Sequence, residues 1–117
     1  MNTQKDCLFC KIIKGDIPSK KAYEDERVYA FFDINPQAPV HILIIPKKHF
    51  SGLLDLDTAD NELIGYIHGI AAKLAREHNI ANRGFRIVTN SGSDAGQTVF
   101  HIHFHLIGGR PMNWPPG

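Results

Sequence analysis

The stretch Val99-Phe100-His101-Ile102-His103-Phe104-His105-Leu106-Ile107 places three of the chain's seven histidines within five residues. Alternation with apolar residues is the period of a β-strand. Phe100, Ile102, Phe104 and Leu106 are therefore expected on a core-facing side and His101, His103 and His105 on the other, about 6.7 Å apart from one to the next. An imidazole with a reference pKa of ~6.5 is neutral and nucleophilic at pH 7, so such a row could attack a phosphorus centre. Two other readings fit the same pattern: histidines that face solvent on a half-exposed strand, and a metal site built from two of them. Just upstream, residues 90–98 combine the unhindered N–H groups of Gly92 and Gly96 with polar donors at Asn90, Ser91, Ser93, Gln97 and Thr98. Alone this is a turn; beside a histidine strand it would bring anion-binding donors to a nucleophile. A second motif, Cys7-Leu8-Phe9-Cys10, holds the only two cysteines of the chain. A redox pair, two half-buried thiols and half of a zinc site all fit a lone Cys-x-x-Cys.

The elements that must position these groups are legible from periodicity and breakers. Asp6 can cap a short helix over residues 7–14 that Gly15 ends, with Phe9, Ile12 and Ile13 on or beside one face. Residues 23–34 are aromatic and branched around an acidic turn, as in a hairpin. Val40-His41-Ile42-Leu43-Ile44-Ile45, stopped by Pro46, is too short and too branched for a helix and reads as a buried strand. Between Thr58 as N-cap and Asn79 as stop, Leu63, Ile67, Ile70 and Leu74 recur at helical spacing, with Ile64 and Ala71 beside them. Residues 84–90 read as a further strand, and the histidine segment as the last. The sum is an α+β architecture: about five mostly antiparallel strands, one long helix and one short N-terminal helix.

Composition bounds what this fold can do. The 117 residues make a single domain, 1–117, with an extended proline-rich tail over 110–117. With 43% hydrophobic and 21% charged residues the chain is an ordinary globular one, large enough to fold without disulfide or metal staples. Thirteen basic against twelve acidic residues give a net charge of +1, which argues against nucleic acid or membrane surfaces as partners. The longest apolar run, residues 42–45, is far short of the ~20 residues of a membrane span, and the N-terminus lacks a signal-peptide h-region, so the cytoplasm is the expected location.

His101-Ile102-His103-Phe104-His105-Leu106-Ile107 resembles the His-x-His-x-His-x-x signature of the histidine triad (HIT) superfamily. The match runs along the chain: Asp33-Ile-Asn-Pro-Gln-Ala-Pro-Val-His41, Ile45-Pro-Lys-Lys-His49, Gly96-Gln-Thr-Val-Phe100 and the ending Gly108-Gly-Arg-Pro-Met-Asn-Trp-Pro-Pro-Gly117 look like its Hint branch. The resemblance implies a homodimeric hydrolase that cleaves the P–N bond of purine nucleoside 5′-monophosphoramidates, including those of lysine or simple amines, through a nucleotidyl-histidine intermediate. It makes His103 the nucleophile, His105 its partner in proton transfer and phosphate contact, and His41 a further histidine near by. Asn90, the N–H of Gly96 or Thr98 and the Thr98 hydroxyl would hold the phosphate; Asp33 would bind the ribose; Phe9, Ile12, Ile13, Ile17, Phe31 and Ile34 would surround the purine. Thr98 stands where serine is frequent in the family, and its hydroxyl is retained. By the same resemblance His49 and His101 would complete a structural zinc site with Cys7 and Cys10, and Trp114 would dock near the partner subunit's active site. Dimerisation is expected through the long helix and a strand. Dinucleoside polyphosphate hydrolysis, as in the Fhit branch, and nucleotidyl transfer are the alternatives within the superfamily. Transferase relatives carry glutamine where His105 stands. A nucleotide-binding scaffold with vestigial catalysis, and a metal enzyme using the triad as ligands, are the alternatives of other classes.

Overall fold

A computed structural model describes residues 6–117 of the protein. Five strands form one antiparallel sheet in the order β1-β2-β3-β5-β4: β1 Lys21–Glu24, β2 Val28–Phe32, β3 Val40–Pro46, β4 Phe85–Val88 and β5 Phe104–Gly108. Two helices, α1 Leu8–Lys14 and α2 Asn61–Glu77, lie on its two sides. The α+β expectation holds in element number and order.

Alternation along β2 and β3 divides the core. Val28, Ala30, Ile42 and Ile44 join Phe104 and Leu106 of β5 beneath Ile67, Ile70, Ala71 and Leu74 of α2. The intervening Tyr29, Phe31, Leu43 and Ile45 form a second cluster with Phe9 and Ile12 of α1. Because His41 and His105 share the second parity on paired strands, with Leu43 opposite His105, both face the α1 side. The sheet thus separates a purely apolar layer under α2 from the layer that carries chemistry.

Several boundaries differ from expectation. Cys7, not Asp6, is the N-cap of α1, its sulfur accepting the N–H of Cys10 at 3.3 Å. Gly15 ends the helix at φ +85°, a left-handed position that costs glycine no Cβ clash. Thr58 is no N-cap; it begins a 3-10 turn, Thr58–Asp60, capped by Asp57, and α2 starts only at Asn61. Asn79 stops α2 as expected, at φ +62°.

The largest difference lies in the histidine segment. β5 begins at Phe104, so His101 and His103 precede the strand. Their neighbour β3 ends at Pro46, whose carbonyl is taken by His101 Nε2 at 2.8 Å, while the Ile102 N–H turns to the Phe50 carbonyl at 2.7 Å. With no ladder to hold it, the segment departs from strict alternation: Ile102 is buried, yet Phe100 points outward and is 59% exposed. His101 and His103 are correspondingly buried, which sets aside for them the reading of histidines that face solvent.

Asp25 at the β1–β2 turn ties the hairpin to α2. Its carboxylate accepts from Tyr23 Oη at 2.8 Å, from the N–H groups of Arg27 and Val28 at 2.8 and 2.9 Å, and from the Tyr66 hydroxyl of α2. Burial pushes this carboxyl up, but the bonds from Tyr66, the two backbone N–H groups and Tyr23 outweigh it and hold it at about 2. A folded-state value below the unfolded ~3.9 stabilises the protein above that pH, and the contribution fades as pH falls from about 4 toward 2. Asp25→Asn is expected to cost about 1 to 2 kcal/mol at pH 7 and to flatten the pH dependence of stability in that window. Denaturant titrations of both proteins at pH 7 and pH 3 check this; equal losses at the two pH values would refute it.

Candidate active site and metal centre

The triad is divided between two sites. His101 turns toward Cys7, Cys10 and His49, whereas His103 and His105 face a cavity of about 300 Å³ between α1 and the sheet.

The first site is a four-residue cluster in which all donor atoms lie within 4.8 Å of one another. His101 Nδ1 is 3.4 Å from Cys7 Sγ, 3.5 Å from Cys10 Sγ and 3.1 Å from His49 Nδ1, and His49 Nδ1 is 3.4 Å from Cys10 Sγ. Tetrahedral zinc, with bonds of about 2.3 Å to sulfur and about 2.0 Å to nitrogen, separates sulfur from nitrogen by about 3.5 Å and nitrogen from nitrogen by about 3.3 Å. The observed spacings fit. Outer partners orient the rings as a metal requires: His101 Nε2 donates to the Pro46 carbonyl, and His49 Nε2 lies 3.5 Å from Ser51 Oγ. Burial lowers both imidazoles, that of His101 to about 4, which keeps them neutral and available as ligands. Two sulfurs and two nitrogens closing on one point, with no position left over, form a cluster able to hold structural zinc.

In the cavity, hydrogen bonds determine which nitrogens carry protons. The Gln37 N–H donates to His41 Nδ1 at 3.0 Å, so neutral His41 carries its proton on Nε2. That atom faces His105 Nδ1 at 2.9 Å and donates to it, leaving the proton of neutral His105 on its own Nε2. Asp33 Oδ2 lies 3.4 Å from His41 Nε2 and steadies the same proton. His103 Nδ1 is 2.8 Å from the His101 carbonyl and must donate to it, which leaves His103 Nε2 with a free lone pair. Burial lowers all three imidazoles; for His105, the neighbouring His103 and His41 act in the same direction and bring it to about 4. All three are neutral at pH 7. One cavity therefore presents an unprotonated ring nitrogen beside a protonated one, on rings whose centroids are 5.1 Å apart.

The remaining expected residues fall around this pair to different degrees. Phe9, Ile12, Ile17, Phe31, Asp33, Ile34 and Thr98 line the same cavity, Ile34 at its rim and almost fully exposed. Ile13 packs at the edge of the second core cluster, and it, Asn90 and Gly96 are not among the lining residues. The Gly96 N–H is already bonded to the Ser93 carbonyl at 3.0 Å. Gln97, read from sequence as an open donor, is buried and fully engaged: its Oε1 accepts the Gly92 N–H at 3.0 Å while Nε2 donates to the carbonyls of Ser51 and Val99. Gln97 thereby pins the loop that carries Thr98. Sequence reading missed Leu8, Pro18, Ser19, Phe32, Leu43 and Val99 on the cavity wall. The parity of Leu43 with His41 on β3 was the available signal; Ser19, bonded through its hydroxyl to Tyr29 Oη at 2.7 Å, offered none.

Comparison with known proteins agrees with this geometry. The HIT domain model matches residues 14–112. An uncharacterized HIT-like protein of Synechocystis sp. is 47% identical over 97% of this chain and 98% of its own length. A protein of Zea mays named as a 14 kDa zinc-binding protein is 51% identical over 94% of this chain and 87% of its own. The crystal structure of a HIT family hydrolase from Legionella pneumophila superposes with a TM-score of 0.94 at 51% identity, covering 96% of this chain and all of that one.

Proposed function

The chain belongs to the HIT domain family, and from that premise we propose that it is a nucleotide hydrolase that cleaves the P–N bond of purine nucleoside 5′-monophosphoramidates. The observation that carries this reading is the pairing of an unprotonated His103 Nε2 with a protonated His105 Nε2 in a cavity lined otherwise mostly by apolar side chains. Phe9, Ile12, Ile17 and Phe31 suit a purine, the Asp33 carboxylate suits ribose hydroxyls, and Thr98 suits a phosphate oxygen.

The chemistry follows from the proton positions. The His103 Nε2 lone pair attacks phosphorus and the P–N bond to the amine breaks. Its electron pair stays on the departing nitrogen, which takes the proton of His105 Nε2. Water then attacks the nucleotidyl-histidine and gives a proton back to His105, releasing the nucleoside monophosphate and restoring neutral His103. The Gln37 N–H, through His41, keeps His105 in the tautomer that can donate first.

Zinc in the cluster of Cys7, Cys10, His49 and His101 would be structural, holding α1 against the sheet and taking no part in the displacement. The working unit in this reading is a homodimer. Trp114, 83% exposed in the tail, and Phe85 on the edge strand β4 support it, since each leaves apolar surface for a second copy to cover. Among the described residues no helix is long and apolar enough to cross a membrane.

A panel assay tests the proposal. Purified protein is expected to hydrolyse adenosine and guanosine 5′-phosphoramidates at least about 100-fold more efficiently than dinucleoside polyphosphates. The chain lacking residues 112–117 should show altered preference among amines with nucleoside preference unchanged. Faster cleavage of the dinucleoside polyphosphates would replace this reading with that of a polyphosphate hydrolase.

A further inference from the structure

The turn that sets the proton positions in the cavity is held from outside by one contact. Between β2 and β3, residues 34–39 are exposed except for Ala38. Most of the hydrogen bonds here are local: the Asn35 N–H donates to Asp33 Oδ1 at 2.8 Å, and Gln37 Nε2 donates to the Asn35 carbonyl at 3.0 Å. The Gln37 N–H, 3.0 Å from His41 Nδ1, belongs to this turn. Among the described residues a single hydrogen bond ties 34–39 to a segment beyond 33–41. It comes from Arg110, whose Nε donates to the Gln37 carbonyl at 2.9 Å.

The chain after β5 is shaped to deliver that guanidinium. Gly109 follows the strand at φ +98°, and a Cβ there would stand 3.0 Å from Pro39 Cβ and 3.2 Å from its Cγ, so glycine is what lets the two segments lie this close. Arg110 is thereby laid along the turn, and its Nη1 donates to the Pro111 carbonyl at 2.9 Å, which fixes the guanidinium. Arg110 is not among the residues that line the histidine cavity, so it reaches the site only through Gln37.

We propose that Arg110 is a positioning residue for the reaction: by holding Gln37 in place, it keeps the His41–His105 pair in the arrangement that leaves a proton on His105 Nε2. The inference rests on the phosphoramidase reading for the destination of that proton. The competing arrangement is near at hand. When the Gln37 N–H withdraws, His41 can carry its proton on Nδ1 and donate it to water; its Nε2 lone pair then accepts from His105 Nδ1. Both rings change together, because the two facing nitrogens are 2.9 Å apart and share one proton. His105 Nε2 is then unprotonated, and the departing amine meets no acid. Asp33 Oδ2, 3.4 Å from His41 Nε2, opposes the change, so loss of Arg110 mixes the two arrangements without fully exchanging them.

Two substrates, tested on the reduced, zinc-loaded full chain, separate this role from a general loosening. The adenosine 5′-phosphoramidate of an alkylamine needs a proton on its leaving nitrogen, whereas adenosine 5′-(p-nitrophenyl phosphate) expels a phenolate that leaves as an anion. Arg110→Ala should lower kcat for the phosphoramidate about 10-fold, with its KM and the turnover of the nitrophenyl ester within about twofold of wild type. Arg110→Lys, whose ammonium can still donate to the Gln37 carbonyl, should recover most of the loss. The Arg110 side chain is exposed, so its removal leaves the core intact. Imidazole nitrogen NMR at pH 7 reads the tautomers with no substrate present: wild type should show protons on Nε2 of both His41 and His105, and Arg110→Ala a mixture with Nδ1. Unchanged nitrogen signals in Arg110→Ala, or an equal fall for both substrates, would overturn the inference and leave the phosphoramidase reading standing. If the wild type hydrolyses no phosphoramidate, that reading falls and the role of Arg110 in the reaction with it.

Discussion

Replacing His103 by alanine is expected to lower turnover of a nucleoside phosphoramidate by about 10⁴-fold or more, because no other group in the cavity presents an unprotonated ring nitrogen. His105 cannot substitute. Its Nδ1 is occupied by His41, and its Nε2 carries the proton the leaving amine needs. The variant also removes a buried ring, 8% exposed, whose centroid stands 5.1 Å from that of Phe9 in an edge-on contact. A stability loss of about 1 to 2 kcal/mol should therefore accompany the kinetic one. Thermal denaturation separates the two effects, and His103→Asn, which keeps more of the volume, should be equally inactive. Wild-type protein quenched in mid-turnover under alkaline denaturing conditions should carry a nucleotidyl adduct that both variants lack. Retention of near wild-type kcat by His103→Ala, with no adduct on the wild type, would remove the covalent route.

Protein purified under reducing conditions without added metal should carry close to one zinc per chain, and changing Cys7 and Cys10 together to serine should abolish it. Serine is itself a good N-cap, so Cys7→Ser preserves the start of α1 and isolates the loss of the metal site. α1 has only seven residues and buries just Phe9, Cys10 and Ile12, too little to hold it firmly without a cross-link. The expected cost is about 3 kcal/mol, a fall in Tm on the order of 10 to 15 °C. kcat should change less than about tenfold, since His103 and His105 lie outside the cluster. Phe9, between the two cysteines, packs on both His101 and His103, so the loss should appear mainly in KM for the nucleoside. Metal analysis with thermal denaturation decides the matter: zinc well below one per chain, or an unchanged Tm in the double variant, would sink it.

Local pattern was enough for the kind and order of the main elements and for the choice of chemical groups, but not for where the last strand and the long helix begin. The branched run of β3, the helical spacing of Ile67, Ile70 and Leu74 and the glycine after α1 each act over a few residues, where steric and hydrophobic periodicity dominate. The same is true of Ile102, Phe104 and Leu106, all buried as their alternation requires. Resemblance to the histidine triad pattern went further and named the four residues of the metal cluster and many of those around the cavity, with Ile13, Asn90 and Gly96 falling outside its lining, but it left their geometry open.

That geometry depends on contacts between distant segments. His101 meets Cys7 across 94 positions and His49 across 52, and His41 meets His105 across 64, through pairing of β3 with β5 that no local periodicity encodes. The end of β3 at Pro46 decides where the ladder to β5 stops. From that point the first two histidines of the triad obey tertiary contacts: His101 is drawn to the Pro46 carbonyl and the cysteines, and His103 is held by the His101 carbonyl. A proline removes the donor that a continuing strand would need, and buried polar groups then take whatever partners the surrounding fold supplies. Residue types and their spacing thus dictated which atoms could react, whereas the assignment of one histidine to the metal cluster and two to the cavity, with their protons placed, arose only when the sheet closed.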